Sequence, residues 1–192
     1  MKRLAFLMFA LLTFAAGQAQ TTEKRIYTQA ELKAAQEQKE QKKTEEIQDS
    51  ILFVEAVKSL EKLDFVVEAD KLIFKYGETA YVTSNTNFFS LSDDQAVVQI
   101  APFNSGGPNG VGGITLEGRA SNIKMKTDKK GNISFSMSVV GNGISATVSL
   151  SLLQGSHRAT VTVNPNFNSH RITFSGYLVP KECSTVFQGT SF

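Results

Sequence analysis

His157, His170 and Cys183 are the whole stock of imidazole and thiol in this sequence, and most forms of side-chain chemistry would have to begin with them. A hydrolytic triad joins a serine or cysteine to a histidine and a carboxylate. Serines are plentiful, but no G-x-S-x-G elbow occurs, and Gly155-Ser156-His157-Arg158 reads as a hairpin turn. Metal binding needs clustered ligands. One histidine falls in a turn and the other beside a strand, which gives no ligand spacing, and Asp93-Asp94 lacks the staggered acids of a calcium loop. Glycoside hydrolysis would need two carboxylates roughly 5–9 Å apart. From Asp64 onward the chain holds nine acids, mostly at turns and strand ends. Glu68 and Glu117 fall within strand patterns, and each is assigned to a solvated face. The loop FNSGGPNGVGG, 103–113, is glycine-rich but lacks the Lys and Thr of a phosphate loop and does not open a helix. No catalytic residue, metal or cofactor is therefore expected. Cys183, without a partner thiol, is read as a small terminal side chain.

What remains is recognition by loops. Aromatic and amide groups on long loops can stack on and hydrogen-bond to neutral ligands. Phe103, Asn104, Asn109, Phe167 and Asn168 are the candidate binding residues on that ground, and a glycan, a peptide or an envelope protein is the expected partner.

These loops need a scaffold, and the text supplies one. In ISFSMSVVGNGISATVSLSLL, residues 133–153, apolar residues alternate with Ser and Thr on both sides of Gly141-Asn142-Gly143. Successive strand side chains point to opposite faces, so this is an antiparallel hairpin with one face in a core and one in water. Further short strand patterns occur at Phe65–Ala69, Leu72–Phe74, Phe88–Leu91, Ala96–Ile100, Ile114–Glu117, Ile123–Thr127, Ala159–Val163 and Ile172–Val179, with Tyr81-Val82 a weak candidate. Turn signals at about ten-residue spacing predict an antiparallel β-sandwich or barrel-like domain over 64–192. No strand carries the lipid-facing band and aromatic girdle of a membrane barrel.

Before Leu63 the period is helical. Thr28 and Glu31 have capping-box spacing. Residues 20–46 mix both charges with hardly any large apolar side chain and predict an exposed polar stalk. Over 47–63, Ile47, Ile51, Val54 and Val57, widened by Phe53, Leu60 and Leu63, predict an amphipathic helix packing on the β domain.

Residues 1–19, MKRLAFLMFALLTFAAGQA, have a basic start, an apolar run over 4–16 and small residues at Gly17 and Ala19, the pattern of a secretory signal peptide. As a helix that run reaches about 20 Å, short of the roughly 30 Å of a hydrocarbon core. No cysteine lies near the cleavage site, so a lipoprotein is not expected. Without Lys2 and Arg3, 18 of the 20 basic residues remain against 18 acidic ones. A neutral chain has no electrostatic footprint for nucleic acid or an anionic membrane surface, and no integral membrane segment is expected after cleavage. The expected location is the periplasm or outside the cell.

The order of these pieces resembles a known family. A charged helix is followed by FVVEA at Phe65–Ala69 and SNTNFFSLSDDQAVVQIAPF at Ser84–Phe103, then by GGITLEG at Gly112–Gly118, the serine-rich hairpin and ITFSGYL at Ile172–Leu178. This is similar to the secreted family "domain of unknown function 4251" of Gram-negative envelope-associated proteins. Asn87-Phe88, Ala101-Pro102-Phe103 and Ser175-Gly176-Tyr177 fill its places, while Asp93-Asp94 replaces a Gly-Asp-like turn. The resemblance implies an all-β secreted domain with an N-terminal helix and brings no activity with it. The functional expectation is a non-enzymatic binding or envelope-interaction module; the alternative is a hydrolase acting on envelope or dietary glycans through dispersed carboxylates.

Overall fold

The computed structural model describes residues 28–102, 107–167 and 170–191, and the expected leader, 1–19, lies outside them. The chain divides into two units, Met1–Glu40 and Gln41–Phe192.

The capping box forms as its spacing predicts. The Thr28 N–H donates to Glu31 Oε2 at 2.8 Å and the Glu31 N–H to Thr28 Oγ1 at 3.3 Å, so two orphan donors are satisfied. The helix, α1 (Gln29–Glu61), runs 33 residues. It ends where Leu63 takes a left-handed φ of 56°, the usual helix-stopping conformation, and its carbonyl accepts from the Asp93 N–H at 2.8 Å.

Within the larger unit the packed face of α1 differs from the expected one. Ala56, Ser59 and Leu60 are buried and Phe53 and Val57 pack on the core, whereas Ile47, Ile51 and Val54 are about half exposed, at 54%, 55% and 48%. At 3.6 residues per turn the two sets lie roughly 160° apart, on nearly opposite faces. The apolar text before Leu63 therefore serves two faces, and one of them meets the β domain.

Among the described residues nine strands follow: β1 (Asp64–Phe74), β2 (Thr79–Tyr81), β3 (Phe88–Ser92), β4 (Gln95–Ile100), β5 (Ile114–Thr127), β6 (Ile133–Gly141), β7 (Ile144–Leu152), β8 (Arg158–Pro165) and β9 (Ile172–Pro180). The short runs expected at 65–69 and 72–74 are one strand, with a register shift between Ala69 and Lys71. Those at 114–117 and 123–127 are likewise one strand, shifted between Ser121 and Lys124. Such irregularities let a long strand bend without ending.

Each strand from β3 to β9 pairs antiparallel with the next, and β1 pairs with both β3 and β9. This closes an eight-stranded antiparallel barrel, with β2 added beside the far half of β1. At the seam Gly176 lies opposite Ala69, and a Cβ there would stand 1.9 Å from the Glu68 carbonyl oxygen. Closure requires glycine at that place.

Alternation sets the interior. Ile133, Phe135, Met137 and Val139 of β6 and Ile144, Ala146, Val148, Leu150 and Leu152 of β7 point inward, and the Ser/Thr positions between them face out, as expected. Phe65 meets Phe89 at 6.2 Å and Phe135 edge-on at 5.7 Å between ring centroids. Outside the barrel wall, Val66, Phe88 and Val97 form a smaller cluster closed by Val179 and Val186, so the segment after the short 3-10 helix Lys181–Cys183 is packed against the outer wall.

Candidate functional site: the open barrel mouth

An eight-stranded barrel is just wide enough for side chains to fill it or for one small ligand to sit within. At the end where α1 leads into β1 the interior is filled. At the other end it is hollow, with a cavity of about 870 Å³ lined largely by apolar groups. The walls come from strand ends that share this level: Phe74 closing β1, Val98 and Ile100 closing β4, Ile114 and Leu116 opening β5.

Opposite them stand Ile144 and Ala146 opening β7, Val163 and Pro165 closing β8, and Ile172 opening β9. The hollow exists because the lining is small where β6 turns into β7. Gly141, Gly143 and Ala146 line the cavity there, and Gly143 also takes a φ of 74° in the two-residue turn, which a side chain would strain.

The charged lining groups of the described residues gather at one side. Lys75, Tyr76 and Glu78 come from the β1–β2 turn, and His170 and Arg171 from just before β9. Phe74 pairs with Ile172, so Lys75 and Arg171 extend from adjacent strand ends. Glu78 accepts from the Tyr76 N–H at 3.2 Å, and the Lys75 ammonium lies 4.9 Å from the centre of the Tyr76 ring. Ser145, on β7, accepts through Oγ from Asn166 Nδ2 at 3.0 Å.

Of the residues singled out from the sequence, Phe167 is at this mouth, 90% exposed and on the cavity lining. Phe103, Asn104 and Asn168 lie outside the described residues. Asn109 is not a surface amide. It is 1% exposed, and its Oδ1 accepts from the N–H groups of Val111 and Gly113 at 3.1 and 2.9 Å while Nδ2 donates to Thr115. Its polar capacity is spent on folding its own loop.

The two histidines are not brought together. His157 stacks on Tyr177 at 4.8 Å, and burial holds its pKa below the ordinary value, with nearby Asp49 opposing and Arg158 adding to the shift. Arg158 donates from Nη2 to both carboxylate oxygens of Asp70, at 3.0 and 2.9 Å. Glu68 accepts from Ser184 and Thr185 and Glu117 from Gln188, which puts both carboxylates on the outer wall. Cys183 is exposed. Among the described residues no group of three or more His, Cys, Asp or Glu is placed to hold a metal, and no helix is long and apolar enough to cross a membrane.

Reading the sequence missed the mouth because its lining residues look like core. Ile100, Leu116, Ile144 and Val163 carry the same inward signal as Val148 or Phe135. The one available hint was the run of small residues in GNGISA, 141–146, inside an otherwise bulky apolar pattern.

The comparisons with known proteins place the chain. A family model described as "Domain of unknown function (DUF4251)" matches residues 45–178. Among solved structures, the crystal structure of a DUF4251 family protein from Bacteroides eggerthii DSM 20697 is 47% identical, covers 77% of this chain and 99% of its own, and superposes with a TM-score of 0.64. No curated protein matches. Two of the three marks of resemblance meet in space, since Asn87 is bonded to Ala101 in both directions, Nδ2 to the carbonyl at 3.0 Å and Oδ1 from the N–H at 2.7 Å; in the third, Gly176 closes the barrel against β1. By sequence and by fold, this chain belongs to the DUF4251 family.

Proposed function

We propose that the protein is exported and acts as a non-enzymatic binding protein that takes a small apolar molecule into the open mouth of its barrel. The observation that carries this reading is the lining: a cavity of about 870 Å³, within the roughly 300–1,000 Å³ usual for ligand sites, mostly apolar with a few polar groups at its edge. Burial of apolar surface is the driving force such a site offers, about 25 cal/mol per Å². The glycan expected from the loops is less well served, since the lining has few fixed hydrogen-bonding groups. The hydrolase alternative needs two carboxylates across a substrate, and among the described residues the cavity lining offers Glu78 alone.

Binding of Nile red, a neutral apolar dye, tests the reading. The wild type should take it up with micromolar affinity and raise its fluorescence. Ala146→Phe, which places a ring in the hollow, should weaken uptake at least about tenfold while circular dichroism stays the same. A dye that does not bind, or that binds the variant equally well, would overturn it. Export rests on the basic start and short apolar run of residues 1–19. Mass spectrometry of the exported species should find Gln20 at its N-terminus, and an intact Met1 would refute that part.

A further inference from the structure

The cavity is not uniform around its rim, and its asymmetry specifies a ligand. Its floor and far wall, at Val98, Leu116, Ala146 and Val163, offer only apolar contact. Among the described residues its charged groups all stand on the β1–β9 side, where Lys75 and Arg171 are neighbours across the strand ends. Glu78, the single lining carboxylate among the described residues, is engaged by the Tyr76 N–H. Arg171 is exposed and makes no ion pair among the described residues. A guanidinium presents a planar fork of donors that matches a carboxylate bidentately, and Arg171 belongs to the lining of a largely apolar hollow, beside which a paired anion would be partly screened from water.

Resting on the binding role proposed above, we propose that the mouth takes a single-chain carboxylate amphiphile, head group on Arg171 and acyl chain in the hollow between β4, β5, β7 and β8. Lys75 adds positive charge beside the head group. The segregation of charge to one side and apolar wall to the other suits a molecule with one anionic end, and does not suit a polyhydroxylated ligand whose polar groups are spread along its length.

The test is a fluorescence titration, at low ionic strength and below micelle-forming concentrations, of cis-parinaric acid against its methyl ester, which differ in the charge of one end. The wild type should bind the acid roughly tenfold more tightly than the ester, the size of effect that a charge-assisted bidentate pair provides. Arg171→Glu should remove that preference and leave ester binding within about twofold, because the apolar wall is untouched. Arg171→Lys should retain part of it. If acid and ester bind the wild type alike, or if Arg171→Glu weakens both equally, the carboxylate assignment is wrong while the apolar pocket stands. If neither probe binds, both the assignment and the pocket fall together.

Discussion

Asn87 and Gln99 are the residues on which the outer wall depends, and neither could be recognised as such from its neighbours in the chain. Asn87 is fully buried and ties Thr83 and Ala101 through its amide. Replacing it with alanine leaves the Ala101 N–H and carbonyl unpaired in a dry site, so Asn87→Ala should cost about 2–3 kcal/mol, read as a lowered midpoint in urea unfolding. Gln99 satisfies all its contacts at once: Nε2 donates to the Thr86 and Phe187 carbonyls, and Oε1 accepts from Thr115 and the Gly189 N–H. His157 makes a prediction in pH. Its folded pKa lies below the ordinary 6.5 because burial disfavours the imidazolium. Above both values the ring is neutral in both states and contributes no pH dependence. As pH falls through about 6.5 the unfolded chain takes up a proton that the folded chain refuses, so stability should decline from about pH 7 toward pH 5. Urea midpoints measured across that range should show the decline in the wild type and flatten it in His157→Gln. The same slope in both would remove His157 as its source.

At the scale of elements, the helix and the C-terminal segment play unequal parts. The α1 face carrying Ala56 and Leu60 is fully buried, so Leu60→Ala should cost ~2–5 kcal/mol, whereas Ile51→Glu, on the half-exposed face, should change stability by no more than about 0.5 kcal/mol. Equal effects in thermal melts would contradict the assignment of faces. Period 3.6 identified this helix and its cap, but the two apolar rows merged into one stripe because a sequence pattern carries no information about which row has something to meet. The segment after Cys183 carries no strand pattern in its sequence. It covers Val66, Phe88 and Val97 and supplies partners to Glu68, Gln99 and Glu117. A chain ending at Cys183 exposes that cluster and strands those groups, and should lose ~3–5 kcal/mol by urea unfolding. The long strands β1 and β5 were each read as two because their irregularities, at 69–71 and 121–124, interrupt alternation without interrupting pairing.

At the scale of the whole molecule, what the sequence left open is a matter of distance along the chain. Alternation fixes which side chains face inward, and it did so correctly through β6 and β7. Closure, however, rests on β1 pairing with β9, about a hundred residues apart, and no local pattern encodes that. The hollow at the mouth is a further step removed: it depends on how far eight inward rows reach across a shared space, with large rings such as Phe65, Phe89 and Phe135 packed together toward one end and Gly141, Gly143 and Ala146 leaving the other open. The central claim is that this open end, and no other part of the barrel, receives an apolar ligand. Methyl-labelled NMR during titration with decanol, a neutral chain, measures this directly. The account predicts shifts at the methyls of Ile100, Ile114, Leu116, Ile144, Val163 and Ile172, with Ile133, Leu152 and Leu178 at the filled end unmoved. Shifts absent from the first group, or spread evenly over both, would contradict it.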